Sequence, residues 1–343
     1  MASAPDRSAE DLGRRRRRRL AAVLAGASLL LVVAGLAAGS EGWSLVRLAA
    51  LWQGPDGALI IGQIRAPRTL GAWLVGALLG LSGATAQGLF RNPIADPYLL
   101  GSASGAALGV VLVLVGGSSG VPALQSAAPP LGLVGAAFVG ALVGVALTLA
   151  LARGAQQTTR LLLAGVVVGV VLGAASDLAT RAAPEALRGK QAFLLGSTGL
   201  LGWTHCAVLA CGLAVALPLT WCFARALDAL ALGTETASSL GLNLPRLRLV
   251  LVGLMALATG VAVSQAGLIA FIGLVAPHLV RRYAPATHGF NVLASAAAGG
   301  SLLLLSDVVA RSVLAPQEVP VGVLSALFGG GYLIWLLHRG AGR

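Results

Sequence analysis

The sequence predicts an all-α polytopic membrane protein of about ten transmembrane helices. The chain of 343 residues is 57% hydrophobic and only 10% charged, with a mean hydropathy of +0.87. Uncharged runs of membrane length recur, among them 69–90 and 97–152. Between the runs stand short breaks rich in proline, glycine and charge. A spanning helix takes roughly 20 mostly apolar residues. In hydrocarbon every backbone polar group must be bonded internally, so such runs have to be helical. The residue alternation of a transmembrane barrel is absent.

Taken in order, the first span covers 20–40 and follows a basic amino-terminal tail, 1–19, that includes the run Arg14–Arg19. The run reads as a topology determinant. A cleaved secretory signal is the rival reading of residues 1–40. The second span, 69–89, ends at Arg91-Asn92-Pro93-Ile94-Ala95-Asp96-Pro97. Each proline there removes a backbone donor and pushes the preceding residue toward extended geometry, which predicts a sharp break. Spans at 98–116 and 131–152 are divided by Gly116–Gly120 and Pro129-Pro130. The fifth and sixth spans cover 161–183 and 203–223, and the longest cytoplasmic connection follows at about 225–248. The turn signal Ser264-Gln265-Ala266-Gly267 separates spans at 248–265 and 267–283. The last two occupy 292–311 and 319–338, leaving 339–343 as a cytoplasmic terminus. Residues 20–338 thus form one membrane domain.

The net charge of +12 does not indicate a nucleic-acid partner, because the arginines concentrate beside the first span. With the amino terminus inside, ten spans place 17 of the 24 Lys and Arg residues on the cytoplasmic side. Cys206, Cys211 and Cys222 show no metal or redox spacing and read as packing residues. Gly76/Gly80, Gly101/Gly105/Gly109, Gly140/Gly144 and Gly165/Gly169/Gly173 follow four-residue spacing, which lets helices approach closely in lipid. Two i,i+4 pairs, Asp177/Arg181 and Asp307/Arg311, are placed to neutralise each other on one helix face. No phosphate-cradling loop, zinc-protease motif or nucleophile elbow occurs, so the chain carries no engine of its own. No metal or cofactor site is expected, and Pro277-His278 reads as a helix end rather than a heme ligand.

Several motifs are specific beyond hydropathy. Arg65-Ala66-Pro67-Arg68, Gly76 to Ala84 with Gln87, Arg91 to Pro97 and Leu100 to Ala106 resemble the permeases of binding-protein-dependent ABC importers for iron-siderophores, heme and vitamin B12, the FecCD/BtuC-like family. Thr234 to Gly241, Gly267 to Arg281, Asp307, Arg311 and Glu318-Val319-Pro320-Val321-Gly322 continue the resemblance in order to about residue 338. One departure stands in the last helix, where the family usually carries proline and this chain has Gly329-Gly330-Gly331. A local change of helix bend is expected there.

The resemblance implies a type II importer permease: a ten-helix subunit in the bacterial inner membrane, both termini cytoplasmic, pairing as a homodimer around a translocation path. Two separate ATP-binding cassette ATPase subunits bind below, and a periplasmic or lipid-anchored substrate-binding protein docks above. The segment from Asp228 to Leu242 can be written as two short helical pieces divided at Leu232-Gly233, with Ala237 and Leu240 on an apolar face. The resemblance makes this the coupling element, with Glu235, Ala237, Leu240 and Gly241 transmitting ATPase closure. Arg65, Arg68 and Arg311 are implied to dock the binding protein, where a guanidinium suits acidic partners. Asn92 and Ile94, opposed by Thr158 and Thr159, are implied to form a cytoplasmic gate.

Iron-siderophore is the first expectation for the cargo, with heme and cobalamin close behind. The rival function is an ion-gradient-coupled secondary transporter. That reading usually requires rows of intramembrane acids, which this chain lacks.

Overall fold

A computed structural model describes residues 7–39, 42–43, 57–118, 130–152 and 157–340. The protein is helical nearly throughout. Helix α1 spans Arg7–Ala37, α2 Ala66–Phe90, α3 Ser102–Ser118, α4 Pro130–Leu151 and α5 Thr158–Ala182. Then follow α6 Ala186–Leu195, α7 Trp203–Cys222, α8 Ala224–Ala231, α9 Thr234–Ser239, α10 Leu244–Ala266, α11 Ile272–Tyr283, α12 His288–Ser312 and α13 Val321–Gly340. Among the described residues seven helices are long and apolar enough to cross a membrane, and α3 and α13 add two shorter apolar helices. Of the predicted spans only 267–283 is much reduced, to the 12 residues of α11. The division placed between 116 and 130 lies largely outside the described residues, as do 341–343.

Helix α2 occupies the centre and is buried along almost its whole length. Its glycine face makes this possible. A Cβ on Gly76 would stand 2.3 Å from the Gly299 carbonyl oxygen, and one on Gly80 2.1 Å from that of Ser295, both on α12. Gly83 meets Gly273 of α11 more closely still, at 1.7 Å. The same device joins α3 to α4, where Gly105 and Gly140 each face the other's carbonyl. Close backbone approach of this kind is how helices associate in lipid, where burial of apolar surface supplies little drive. Gly173 meets nothing within 4 Å, so the spacing in α5 does not serve packing within this chain throughout.

The basic run Arg14–Arg19 belongs to α1 itself, which begins at Arg7. From Arg7 onward the amino-terminal tail is therefore the first turns of a long helix. A π-helical segment, Ile60–Arg65, leads into α2.

The division between α10 and α11 is wider than the turn signal suggests. Gly267 has φ +71° and ends α10, and Phe271, with φ 67°, stands immediately before α11. The stretch between them needs backbone partners, and α6 and the turn that follows it supply them. Leu268 N–H donates to the Phe193 carbonyl at 2.9 Å, and Ser197 N–H to the Ala266 carbonyl at 2.8 Å. Non-helical backbone at membrane depth is tolerated where protein satisfies it. Gly329 rests on Phe271, where a Cβ would come within 2.2 Å of the phenylalanine Cβ. The first glycine of the triple is thus a seat for a left-handed residue, and α13 runs through the triplet as helix.

Candidate functional site: a proline break, an apolar hairpin face and an arginine cluster

The segment Arg91–Pro97 is fastened at both ends. Arg91 adopts φ 49° and caps α2, its N–H and that of Asn92 both donating to the Gln87 carbonyl. Asn92 Oδ1 accepts from Ile94 N–H at 3.0 Å, and Asp96 Oδ1 from Tyr98 N–H at 2.7 Å. Each is a short polar side chain stabilising a turn beside a proline. Gln87 is buried; it donates to the Leu274 carbonyl at 3.0 Å and accepts from Arg281 of α11. The break is thereby joined to α11.

Ile94 is 58% exposed, and Asn92 is half-buried. Thr158 and Thr159 lie in the first turn of α5, the second exposed. Among the described residues no side-chain hydrogen bond joins them to Asn92 or Ile94. The link between the segments runs instead through Gly165, packed on the Leu99 carbonyl.

The two helical pieces expected in the long connection are α8 and α9, divided at Gly233 with φ +121°. Glu235 is exposed, Leu240 is 65% exposed, and Gly241 adopts φ +83°. Ala237 departs from the expected apolar face. It is fully buried beside Leu227, Leu230 and Leu247 and holds α9 to the body. The outward apolar partner of Leu240 is Leu232, 71% exposed, which periodicity missed because it sits in the turn between the two pieces. Together they give the hairpin an open apolar face with Glu235 nearby in sequence. Behind it, Asp228 of α8 caps α12 through His288.

At the opposite end of the bundle, Asp307 is wholly buried and gathers three donors. Thr198 Oγ1 donates at 2.5 Å, Arg68 at 3.2 Å and Arg311 at 2.5 Å. Arg68 reaches on to Glu318 at 2.8 Å. Its hydrogen bond, with the guanidinium charge, holds the Glu318 carboxyl below its ordinary value of 4.5, against a smaller opposing effect of burial. Charge-assisted bonds to a shared carboxylate are the arrangement that makes buried guanidinium groups tolerable.

Arg311 is only 3% exposed, and it also donates to the Gly35 carbonyl at 3.0 Å. This corrects the expectation that Arg311 presents a docking charge: its guanidinium is spent anchoring α1 to α12. Arg68 is partly accessible. Arg65 is half-buried and donates to the Leu36 carbonyl at 2.9 Å. The predicted pair Asp307/Arg311 forms, whereas the second, Asp177/Arg181, does not. Asp177 bonds Lys190 of α6 rather than Arg181, which stays exposed. The missed signal was α6 itself, a short amphipathic segment between two spans. Among the described residues no cluster of His, Cys, Asp and Glu forms a metal site.

Comparison with known proteins accounts for this combination. The FecCD transport family matches residues 15–339. The vitamin B12 import system permease protein BtuC of Escherichia coli O157:H7 is 41% identical over 295 residues, covering 85% of this chain and 87% of that one. The same protein of Escherichia coli strain SE11 matches equally. A metal-chelate type ABC transporter solved in an inward-facing conformation superposes with a TM-score of 0.81 at 26% identity, over 94% of this chain and 99% of that one. PsaBC from Streptococcus pneumoniae shares the fold with a TM-score of 0.57 at 16% identity, over 83% of this chain and 94% of that one. The chain therefore belongs to the FecCD transport family, as a membrane permease.

Proposed function

We propose that the chain is the permease subunit of an ATP-driven importer of a metal chelate, working as a homodimer with two ATPase subunits and a substrate-binding protein. The observation that carries this reading is the exposed apolar hairpin face of Leu232 and Leu240, braced by Ala237 and tied to α12. A secondary carrier has no use for such a face; a permease driven from outside requires one. ATP binding can shift the dimer only if the coupling contacts differ in energy between outward- and inward-facing states.

The second copy is placed against α5. Val166, Val170 and Val171 are exposed there, and Gly173 stands uncovered, which suits close approach of another helix. Asn92, Ile94, Thr158 and Thr159 then belong to the inner mouth, and the amino terminus with its arginines to the cytoplasm, giving an inner-membrane protein. Arg65 and Arg68 are the docking charges for the binding protein, and Glu318 competes for Arg68 until an acidic partner arrives.

For the cargo, identity to vitamin B12 permeases along most of the chain moves cobalamin ahead of iron-siderophore and heme. The test is uptake into proteoliposomes holding the permease, its ATPase and its binding protein, with labelled cobalamin, ferric siderophore and heme in separate arms. ATP-dependent accumulation of cobalamin supports the reading. Accumulation of another chelate corrects the cargo alone, and uptake without the ATPase but with an ion gradient would overturn the importer.

A further inference from the structure

We infer that the groove between α1, α11 and α12 is a binding site for an anionic phospholipid of the leaflet on which the amino terminus lies. The groove has a volume of about 590 Å³, and its walls are almost wholly apolar. On α1 the lining runs as a helical stripe through Leu20, Val23, Ala27 and Leu31, with Leu302 and Leu305 of α12 opposite. From Arg16 to Leu31 the stripe is about 22 Å long at 1.5 Å per residue, the reach of an extended acyl chain along one leaflet.

The polar groups of the groove are not scattered along it. Arg16 and Arg19 line the same end, one and two turns before Val23 on the same face, and both are exposed. Neither pairs with a carboxylate among the described residues. Tyr283, the last residue of α11, is 65% exposed and lines the groove, an aromatic of the type enriched at the headgroup level. A phosphate at this end would meet two planar donors suited to it, while a zwitterionic lipid would bring a compensating cation to the same place. Charge and shape therefore select the same occupant.

Such a lipid has a structural task. Helix α1 is the most peripheral of the long helices. Beyond apolar contact it is joined to the bundle at Ser28, which bonds Ser301 at 2.9 Å and accepts from Trp73 at 3.1 Å, and at its far end by Arg65 and Arg311, which donate to the Leu36 and Gly35 carbonyls. Arg16 and Arg19 make no bond to the rest of the bundle among the described residues, and the lipid headgroup gives them a partner. This inference is independent of the transported cargo and of the partner ATPase.

The experiment uses the full-length chain in mild detergent, titrated with phosphatidylglycerol or phosphatidylcholine, with bound lipid counted by native mass spectrometry. Wild type is expected to retain phosphatidylglycerol preferentially. R16Q/R19Q should weaken retention about 25-fold, roughly fivefold for each cation near the headgroup. R15Q/R18Q removes the same charge from outside the groove and should leave retention unchanged. Ala27→Trp obstructs the chain while keeping every arginine and should abolish retention; Ala27→Leu serves as the milder obstruction if tryptophan prevents folding. Equal loss in the two arginine pairs, retention unaltered by obstruction, or equal retention of phosphatidylcholine would each overturn the site.

Discussion

The carboxylate of Asp228 accepts the backbone N–H of His288 at 2.9 Å and lies 2.7 Å from the Nδ1 of the same residue. A side chain of the α8–α9 hairpin thereby serves as the cap of α12, satisfying an amide that the helix leaves unpaired. The far end of α12 carries Asp307 and Arg311, about 29 and 35 Å away at 1.5 Å per residue. A displacement of α8 and α9 therefore acts on the first turn of the helix that holds the arginine cluster.

That linkage predicts separable effects at Asp228. Asp228→Ala removes the cap and should cost about 1 kcal/mol of stability. Asp228→Asn keeps an oxygen to accept the His288 amide and should lose less. Both should weaken the response of transport to ATP more than they weaken assembly with the ATPase. Chemical unfolding in micelles and coupled ATPase assays measure the two quantities side by side.

The hairpin supplies a contrast between neighbours. Leu240→Asp and Leu232→Asp change exposed positions and should leave folding within about 0.5 kcal/mol of wild type. ATPase association and uptake should nevertheless be lost in both. Gly241→Trp should also disrupt coupling, since φ +83° disfavours any side chain. Ala237→Asp buries an unpaired carboxylate and should prevent stable folding. Co-purification with the ATPase, set beside the monodispersity of each variant, separates the two classes.

Much of this arrangement was legible in the sequence. The succession of apolar helices, the proline break and the two-piece hairpin follow from local chemistry, because glycine, proline and uncharged stretches act on the backbone where they stand. What escaped depends on the third dimension. Ala237 and Leu240 share an apolar character and near-helical spacing, yet the left-handed Gly241 and the turn at Gly233 rotate one inward and leave the other out. The Asp307/Arg311 pair is legible in the spacing, but the burial of Arg311 against the Gly35 carbonyl of α1 is not. Gly76 and Gly173 satisfy the same spacing rule, and only the position of α12 distinguishes a packed glycine from an open one. Lys190 displaced Arg181 as the partner of Asp177 because α6 turns back to pack on α3, where Gly189 meets Leu114, and so brings Lys190 to Asp177, a contact that sequence spacing does not encode.

Asp307 should be the least replaceable polar residue at its end of the bundle. It is wholly buried, and two guanidinium groups and the Thr198 hydroxyl depend on it. Asp307→Ala leaves positive charge without its counter-charge, at an expected cost of about 3–5 kcal/mol. Asp307→Asn should recover part of that loss, because its oxygen still accepts while its charge is gone. Yield and unfolding midpoints of the purified variants decide the order.

Glu318 sets an acid limit for the same cluster. Arg68 holds its carboxyl below the ordinary value of 4.5, so folding favours the charged form. For a depressed acid the added stability is present above the unfolded-state value and is lost as pH falls through the lower folded-state value. Glu318→Gln should therefore reduce stability at neutral pH and flatten its dependence below about pH 4.5. Because the side chain is 42% exposed, added salt should narrow the difference between the two proteins. Thermal unfolding from neutral to acid pH, at low and high salt, measures both effects.

The glycine contacts of α2 make a prediction that depends on position alone. At Gly83 a Cβ would lie 1.7 Å from the Gly273 carbonyl oxygen, a backbone atom that cannot rotate away. Gly83→Ala must therefore separate α2 from α11 and also disturb Gln87, one turn along, which bonds both Leu274 and Arg281. Overpacking at such a site costs about 1–3 kcal/mol or more. Gly253 in α10 meets nothing within 4 Å, and its change to alanine adds helix propensity at no steric cost. Gly253→Ala should be neutral or slightly stabilising. Measured in one micelle by the same unfolding titration, a large loss for Gly83→Ala and none for Gly253→Ala would establish that close approach, rather than glycine content, holds these helices together. Similar losses at both positions would instead point to a general intolerance of the helices toward added volume.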